Sequence, residues 1–290
     1  MIAALVVGLL ALAGFGVWRW AVAAGSAGTL DWIDARFPRS TTVDLAAQGL
    51  YGSDPAQRAE LWVPAGEEAD GARPLVVFVH GGGWHSGAAE EYRFVARTLG
   101  EAGFATALIG YRLVPGGRFP AMLEDTAAGI RWARDRAAAV GVRTNRIALA
   151  GHSAGAYNVL MMALDPQWLA AAGVPAVSIG GVVSMAGPAD FYPFTSDSAR
   201  NALGHVADPA ITQPIAFARA GAKVAVLDRN AELAEKVAED INAEFGNGSA
   251  VACPCDITDP ASVTAAIEQA AAAHGPARIL MNVAGIGSAK

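Results

Sequence analysis

Leu149-Ala150-Gly151-His152-Ser153-Ala154-Gly155-Ala156 decides the reading of this chain. An apolar run, Ile147 to Ala150, leads into the first glycine, and a helix-compatible stretch follows the second. This is the G-x-S-x-G pattern in the strand-to-helix context that it requires. A sharp turn there lifts a serine hydroxyl out of a sheet, and Gly151 and Gly155 permit the turn and its close backbone packing. The helix N-terminus brings backbone N–H groups and a positive dipole to the same point. The plain alternative is a helix N-cap serine with no chemistry.

Upstream, Val77-Phe78-Val79-His80-Gly81-Gly82-Gly83-Trp84 also follows an apolar run. Glycines at the C-terminal end of a strand can turn their N–H groups toward one point, an oxyanion hole for a tetrahedral intermediate. A structural glycine turn is the alternative. Both motifs in this order, about seventy residues apart, favour the chemical reading. Apolar runs bounded by glycine recur at Leu75 to Val79, Ala105 to Ile109 and Val182 to Met185. Helix-length segments such as Glu90 to Ala102 and Met122 to Val140 lie between them. Ala59-Glu60-Leu61-Trp62-Val63 alternates like a strand and leads into a polar, acidic turn, Gly66 to Asp70. Strand alternating with helix predicts an α/β fold, a mostly parallel sheet with helices on both faces.

The 290 residues are 53% hydrophobic and 17% charged, which excludes disorder as the main state. Lys plus Arg is 21 against 27 for Asp plus Glu, a net charge of −6 with no basic run, so no nucleic-acid partner is expected. Cys253 and Cys255, one residue apart, make neither a disulfide framework nor a zinc spacing and read as small apolar strand residues; no metal site is expected. Ile2 to Trp18 hold no charged or strongly polar side chain, and Trp18-Arg19-Trp20 forms an aromatic and cationic border. Residues 1–24 are therefore expected to anchor the chain in a membrane by a single N-terminal helix, with contact through residues 2–18. A cleaved signal peptide ending near Ala21-Val22-Ala23 is the alternative. Arg19, Arg36 and Arg39 weakly favour a cytoplasmic body.

HGGGW at 80–84, Tyr111-Arg112-Leu113, Phe119-Pro120-Ala121 with Asp125, and GHSAGA at 151–156 resemble the hormone-sensitive-lipase-like branch of the α/β-hydrolase fold. Within it, small carboxylesterases are the closest match. The resemblance covers about residues 60–213. It implies Ser153 as nucleophile and the backbone N–H groups of Gly82, Gly83 and Ala154 as the oxyanion hole. It implies a small-molecule ester as substrate and no cofactor. His80 would orient the glycine loop, and Asp125 would be structural. Such an enzyme also needs a histidine base and an orienting acid, in the chain order Ser, acid, His. The segments that carry them in the family are not recognisable here. His205 lies before the strand that would precede the acid. His274 lies ahead of the strand Arg278 to Val283, at the sheet edge opposite Ser153. The base is unassigned, so impaired esterase activity is expected.

Beyond Pro214 the chain changes character. The segments Phe217 to Arg229, Ala250 to Asp259 and Arg278 to Gly285 resemble the front of a short-chain dehydrogenase, a Rossmann-fold family, over about residues 216–290. That resemblance implies Asp228 on the adenosine ribose of NAD, Asp256 facing the adenine, and Asn282 to Gly285 lining the cofactor. The glycine-rich turn that cradles the pyrophosphate is absent before Phe217, and the Tyr-x-x-x-Lys pair would fall beyond Lys290. NAD binding is accordingly expected to be weak or absent. The expected organisation is 1–24 anchor, 25–213 hydrolase-like domain, and 214–290 Rossmann-like fragment. The three later strands could complete the hydrolase sheet. An inactive fusion remnant and a weak NAD-binding oxidoreductase fragment are the alternatives to an esterase.

Overall fold

The computed structural model describes residues 27–66, 73–214 and 223–282. Helix α1 (Ala27–Asp34) leads to strands β1 (Val43–Leu50), β2 (Arg58–Pro64) and β3 (Pro74–Val79). A short 3-10 helix (Ala89–Tyr92) runs into α2 (Arg93–Glu101), followed by β4 (Ala105–Ile109), α3 (Ala121–Ala139) and β5 (Arg143–His152). Then come α4 (Ala154–Leu164), α5 (Gln167–Ala171), β6 (Ile179–Met185) and α6 (Asp197–Leu203). The last part holds β7 (Val224–Asp228), α7 (Ala231–Phe245), β8 (Ala250–Pro254), α8 (Pro260–His274) and β9 (Ile279–Asn282).

Seven strands form one sheet in the order β1-β2-β4-β3-β5-β6-β9. The β1–β2 and β2–β4 pairs are antiparallel and the other four are parallel. The predicted mostly parallel sheet, with helices on both faces, is the fold observed. Its core follows from the period-2 alternation of a strand buried on both sides. In β3, Leu75, Val77 and Val79 pack on one face with Met122, Leu123 and Ile130 of α3 and Tyr157 and Met161 of α4. Val76 and Phe78 pack on the other face with Tyr92 and Ala96. Each such large side chain contributes roughly 1.5–3 kcal/mol on burial. Glu60 is buried beside them and is held by the Arg93 guanidinium and by Trp62 Nε1 at 2.9 Å.

Of the three later strands, β9 joins the sheet, with Val182 opposite Ile279 and Met185 opposite Asn282. Among the described residues the other two, β7 and β8, pair with each other alone, in parallel. In the main sheet β9 takes the outer edge of β6 and is its last strand. The small core under β7 and β8 contains Cys253, Cys255 and Ala266, and both cysteines are free thiols.

The expected membrane anchor requires correction. Among the described residues no helix is long and apolar enough to cross a membrane. The segment that prompted the expectation, residues 2–18, lies outside the described residues.

Candidate active site

The register of the sheet brings the two glycine motifs together. Val79 pairs with Gly151 across the parallel β3–β5 ladder, so both chains leave the sheet side by side at its C-terminal edge. Beyond Gly151 the chain turns into α4 through Ser153, which has φ 51 and ψ −115. That left-handed conformation is costly for a residue with a side chain, and the surroundings hold it. Ser153 N–H donates to Met185 O at 2.8 Å, and Ser153 O accepts from Tyr157 N–H at 3.1 Å. A Cβ on Gly151 would collide with Gly155 O, and one on Gly155 with Val79 O and His80 O. No larger residue fits either place.

The glycine loop is bent by three consecutive positive φ values, 122 at Gly82, 60 at Gly83 and 64 at Trp84. Gly82 O accepts from the N–H groups of His85 and Ser86, each at 3.1 Å. A trans peptide is planar, so the Gly83 N–H points the opposite way from that tethered carbonyl. The same reasoning applies one residue earlier. Gly81 O lies 2.7 Å from His80 Nδ1, and because a carbonyl only accepts, Nδ1 carries the proton. The Gly82 N–H is thereby turned away from His80.

His80 is fully buried, stacked on Tyr111 with ring centroids 4.5 Å apart, and Tyr111 OH donates to its carbonyl at 3.2 Å. Burial drives its pKa from 6.5 to about 4, against the opposing bond to Gly81. The folded-state value lies below the unfolded one, so the unfolded chain takes up the proton first as pH falls. Stability is therefore lost between pH 6.5 and about 4, by about 3 kcal/mol from this group when complete. The His80 ring resonances are expected to titrate with a midpoint near 4; a midpoint at 6.5 or above would contradict a neutral, buried imidazole.

Ser153, Ala154, Gly83 and Trp84 share a cavity of about 510 Å³ with Ala186, Gly187, Pro188, Phe191, Thr195, Ser196, Ser198 and Ala199. Gly82 is not among its walls. None of the wall side chains carries a charge. Trp84 and Phe191 lie nearly parallel, centroids 6.5 Å apart, and Tyr157 meets both edge-on. Trp84 is fixed by its Nε1–H bond to Asn158 Oδ1 at 3.2 Å, and Asn158 donates in turn to Thr126 at 3.1 Å. Ser198 was not visible as a site residue in the sequence, because nothing local links α6 to the glycine loop. Its hydroxyl donates to Gly83 O, which also lies 2.7 Å from His85 Nδ1.

The other sequence candidates fall elsewhere. Asp125 is buried and bonded to Gln57 and to the Arg112 backbone and guanidinium at 2.7–2.9 Å, away from the cavity walls. His205 Nε2 lies 2.8 Å from Phe119 O, and His274 Nε2 lies 3.2 Å from Val224 O; neither lines the cavity. Asp228 ends β7 and accepts from Asn230 N–H at 2.8 Å. Asp256 follows β8 and is held by Thr258 N–H and Oγ1 at 2.9 and 2.7 Å, bonds that lower its pKa. Asn282 ends β9, in the other sheet. Gly285 lies outside the described residues.

This fold and motif arrangement has known counterparts. A family model described as BD-FAE matches residues 60–241, more than half of the chain. The chain belongs to the BD-FAE family of α/β hydrolases. A weaker match to the short chain dehydrogenase model covers only residues 213–290. The esterase LipC of Mycobacterium tuberculosis is 36% identical over 126 residues, 42% of this chain and 31% of that protein. The carboxylesterase NlhH of the same organism is 41% identical over 83 residues, 28% of this chain and 26% of its own length. The isoprenylcysteine alpha-carbonyl methylesterase of Arabidopsis thaliana is 36% identical over 108 residues, 37% of this chain and 25% of that one. The chain thus spans about a quarter to a third of these relatives. A crystal structure of an inhibited esterase B from Lactobacillus rhamnosis shares the fold, with a TM-score of 0.60 at 18% identity over 91% of this chain and 96% of that one. BD-FAE chains are carboxylesterase-like hydrolases, and the esterases of this family need no cofactor.

Proposed function

We propose that this chain is a carboxylic-ester hydrolase of impaired turnover, acting on small uncharged esters through Ser153. The observation that carries the reading is the convergence of Ser153, Ala154 and Gly83 on one uncharged cavity, with Ser153 held in a left-handed turn. In this reading Ser153 Oγ attacks the ester carbonyl. The N–H groups of Gly83 and Ala154, with that of Gly82 behind them, receive the negative charge that develops on oxygen. Trp84 and Phe191 supply an apolar wall for the acyl or alcohol portion. Impairment follows from the proton inventory: among the described residues, no histidine lines the cavity to take the serine proton.

The wall chemistry makes a prediction about substrate charge. A carboxylate on the substrate would be desolvated with no cation to receive it. Mono-p-nitrophenyl succinate should therefore show a kcat/KM at least about tenfold below p-nitrophenyl butyrate. Equal values would contradict the assignment of this cavity as the substrate site. Full-length chain with no Ser153-dependent release of p-nitrophenol from either ester would favour the second reading, a folded remnant with the nucleophile's scaffold but no enzyme. The missing cavity histidine is the observation behind that reading.

A further inference from the structure

Gly81 opens the glycine loop, and one polar link ties it to the turn that carries Ser153. Its N–H donates to the Tyr92 hydroxyl oxygen at 3.2 Å. That hydroxyl lies 3.0 Å from Nδ1 of His152, the residue before Ser153. A Cβ on Gly81 would lie 2.7 Å from His152 Nδ1, so the three groups meet without spare room. The Tyr92 oxygen accepts from Gly81 N–H, and the hydroxyl and Nδ1 of His152 share one further hydrogen bond. Burial lowers the His152 pKa, although the residue reaches solvent on its other side. Tyr92 is buried and packed against Phe78 and Phe94, with centroids 5.2 and 5.7 Å away, which holds its hydroxyl in place.

We propose that Tyr92 and His152 are positioning residues that clamp the glycine loop to the serine turn, fixing the spacing between the oxyanion donors and Ser153. The inference rests on the Ser153 reading above. Its basis is where the backbone ladder stops. The last β3–β5 pair is Val79 with Gly151, and beyond it one chain bends into the glycine loop while the other enters α4. The Gly81–Tyr92–His152 link spans that gap. Neither side chain lines the cavity, so both act through the backbone.

The test uses the full-length chain and Tyr92→Phe, His152→Phe, His152→Asn and the Tyr92→Phe/His152→Phe double variant. Asn can offer Oδ1 where His offers Nδ1. One readout is exchange of the Gly81 amide proton, followed by NMR. The other is labelling by a p-nitrophenyl alkylphosphonate: Ser153 Oγ bonds to phosphorus, p-nitrophenolate leaves with the bond pair, and the serine proton passes to buffer. Tyr92→Phe is expected to speed Gly81 exchange and to slow saturating labelling, each about tenfold, with the half-saturating concentration within about twofold. His152→Phe should lower labelling similarly, His152→Asn should restore it, and the double variant should be no worse than Tyr92→Phe alone. Unchanged Gly81 exchange in Tyr92→Phe would overturn the clamp. Faster exchange with unchanged labelling would overturn its positioning role. Absence of labelling in the unsubstituted chain would overturn the Ser153 reading and the positioning role with it, while the exchange rates still report whether the clamp is present.

Discussion

Ser153→Ala is expected to remove all hydrolysis of p-nitrophenyl butyrate above the rate of buffer plus an inert protein. In serine hydrolases with a complete set of partners, loss of the nucleophile lowers turnover by about 10⁴- to 10⁶-fold. On the proposed reading the unsubstituted chain starts lower, because no histidine among the described residues lines the cavity. The measured window will therefore be smaller, and the informative quantity is the ratio of the two rates. The substitution removes only Oγ and leaves the backbone bonds to Met185 O and Tyr157 N in place. Alanine at φ 51 carries the same backbone penalty as serine, so the fold should survive. A rate equal to that of the unsubstituted chain would mean that any hydrolysis arises elsewhere on the molecule.

The second large effect is expected at Asp125. Its carboxylate is buried in α3 and takes bonds from Gln57 Nε2, Arg112 N–H and the Nε and Nη2 of the Arg112 guanidinium. The Arg112 pKa is raised, first by that hydrogen-bonded contact. Asp125→Ala leaves a backbone N–H and an amide with no acceptor, and a guanidinium with no buried counter-charge. Breaking a fully buried pair typically destabilises by 3–5 kcal/mol. The Arg112 side chain is 30% exposed and can reach water, so about 3 kcal/mol is expected. Urea unfolding of the variant against the unsubstituted chain measures it, and a loss below about 1 kcal/mol would contradict a structural role for Asp125.

The sheet was legible because its strands carry local signals. Leu75 to Val79 and Ala105 to Ile109 are apolar on both faces, and the structure buries them on both faces. The motifs were legible because glycine is required where a Cβ would collide with backbone, as at Gly151 and Gly155. The fate of β7 and β8 was not legible, since their apolar runs look like those of β9. In a Rossmann sheet the second strand lies beside the first. Here the strand next to β9 is β6, and β7 and β8 form a separate parallel pair. A two-stranded pair has few ways to bury apolar surface. Leu227, Leu233, Ile257 and Ile267 are accordingly exposed around it.

The polar links around the site escaped the sequence for a related reason. Ser198 reaches Gly83 across 115 positions, and Tyr92 reaches His152 across 60. No local pattern marks such pairs. The same separation explains why Asp228 and Asn282 look like partners in one cofactor site along the chain and lie in different sheets in the fold. The expectation of a membrane helix came from the apolar run at 2–18 and its Trp18-Arg19-Trp20 border, and the described helices contain none that could span a bilayer.

The most direct test of the account is intact-mass and peptide-mapping analysis of the full-length chain after incubation with a p-nitrophenyl alkylphosphonate. One phosphonyl adduct per chain, located on Ser153, is expected, and none in Ser153→Ala. An unlabelled chain, or an adduct on another residue that persists in Ser153→Ala, would contradict it.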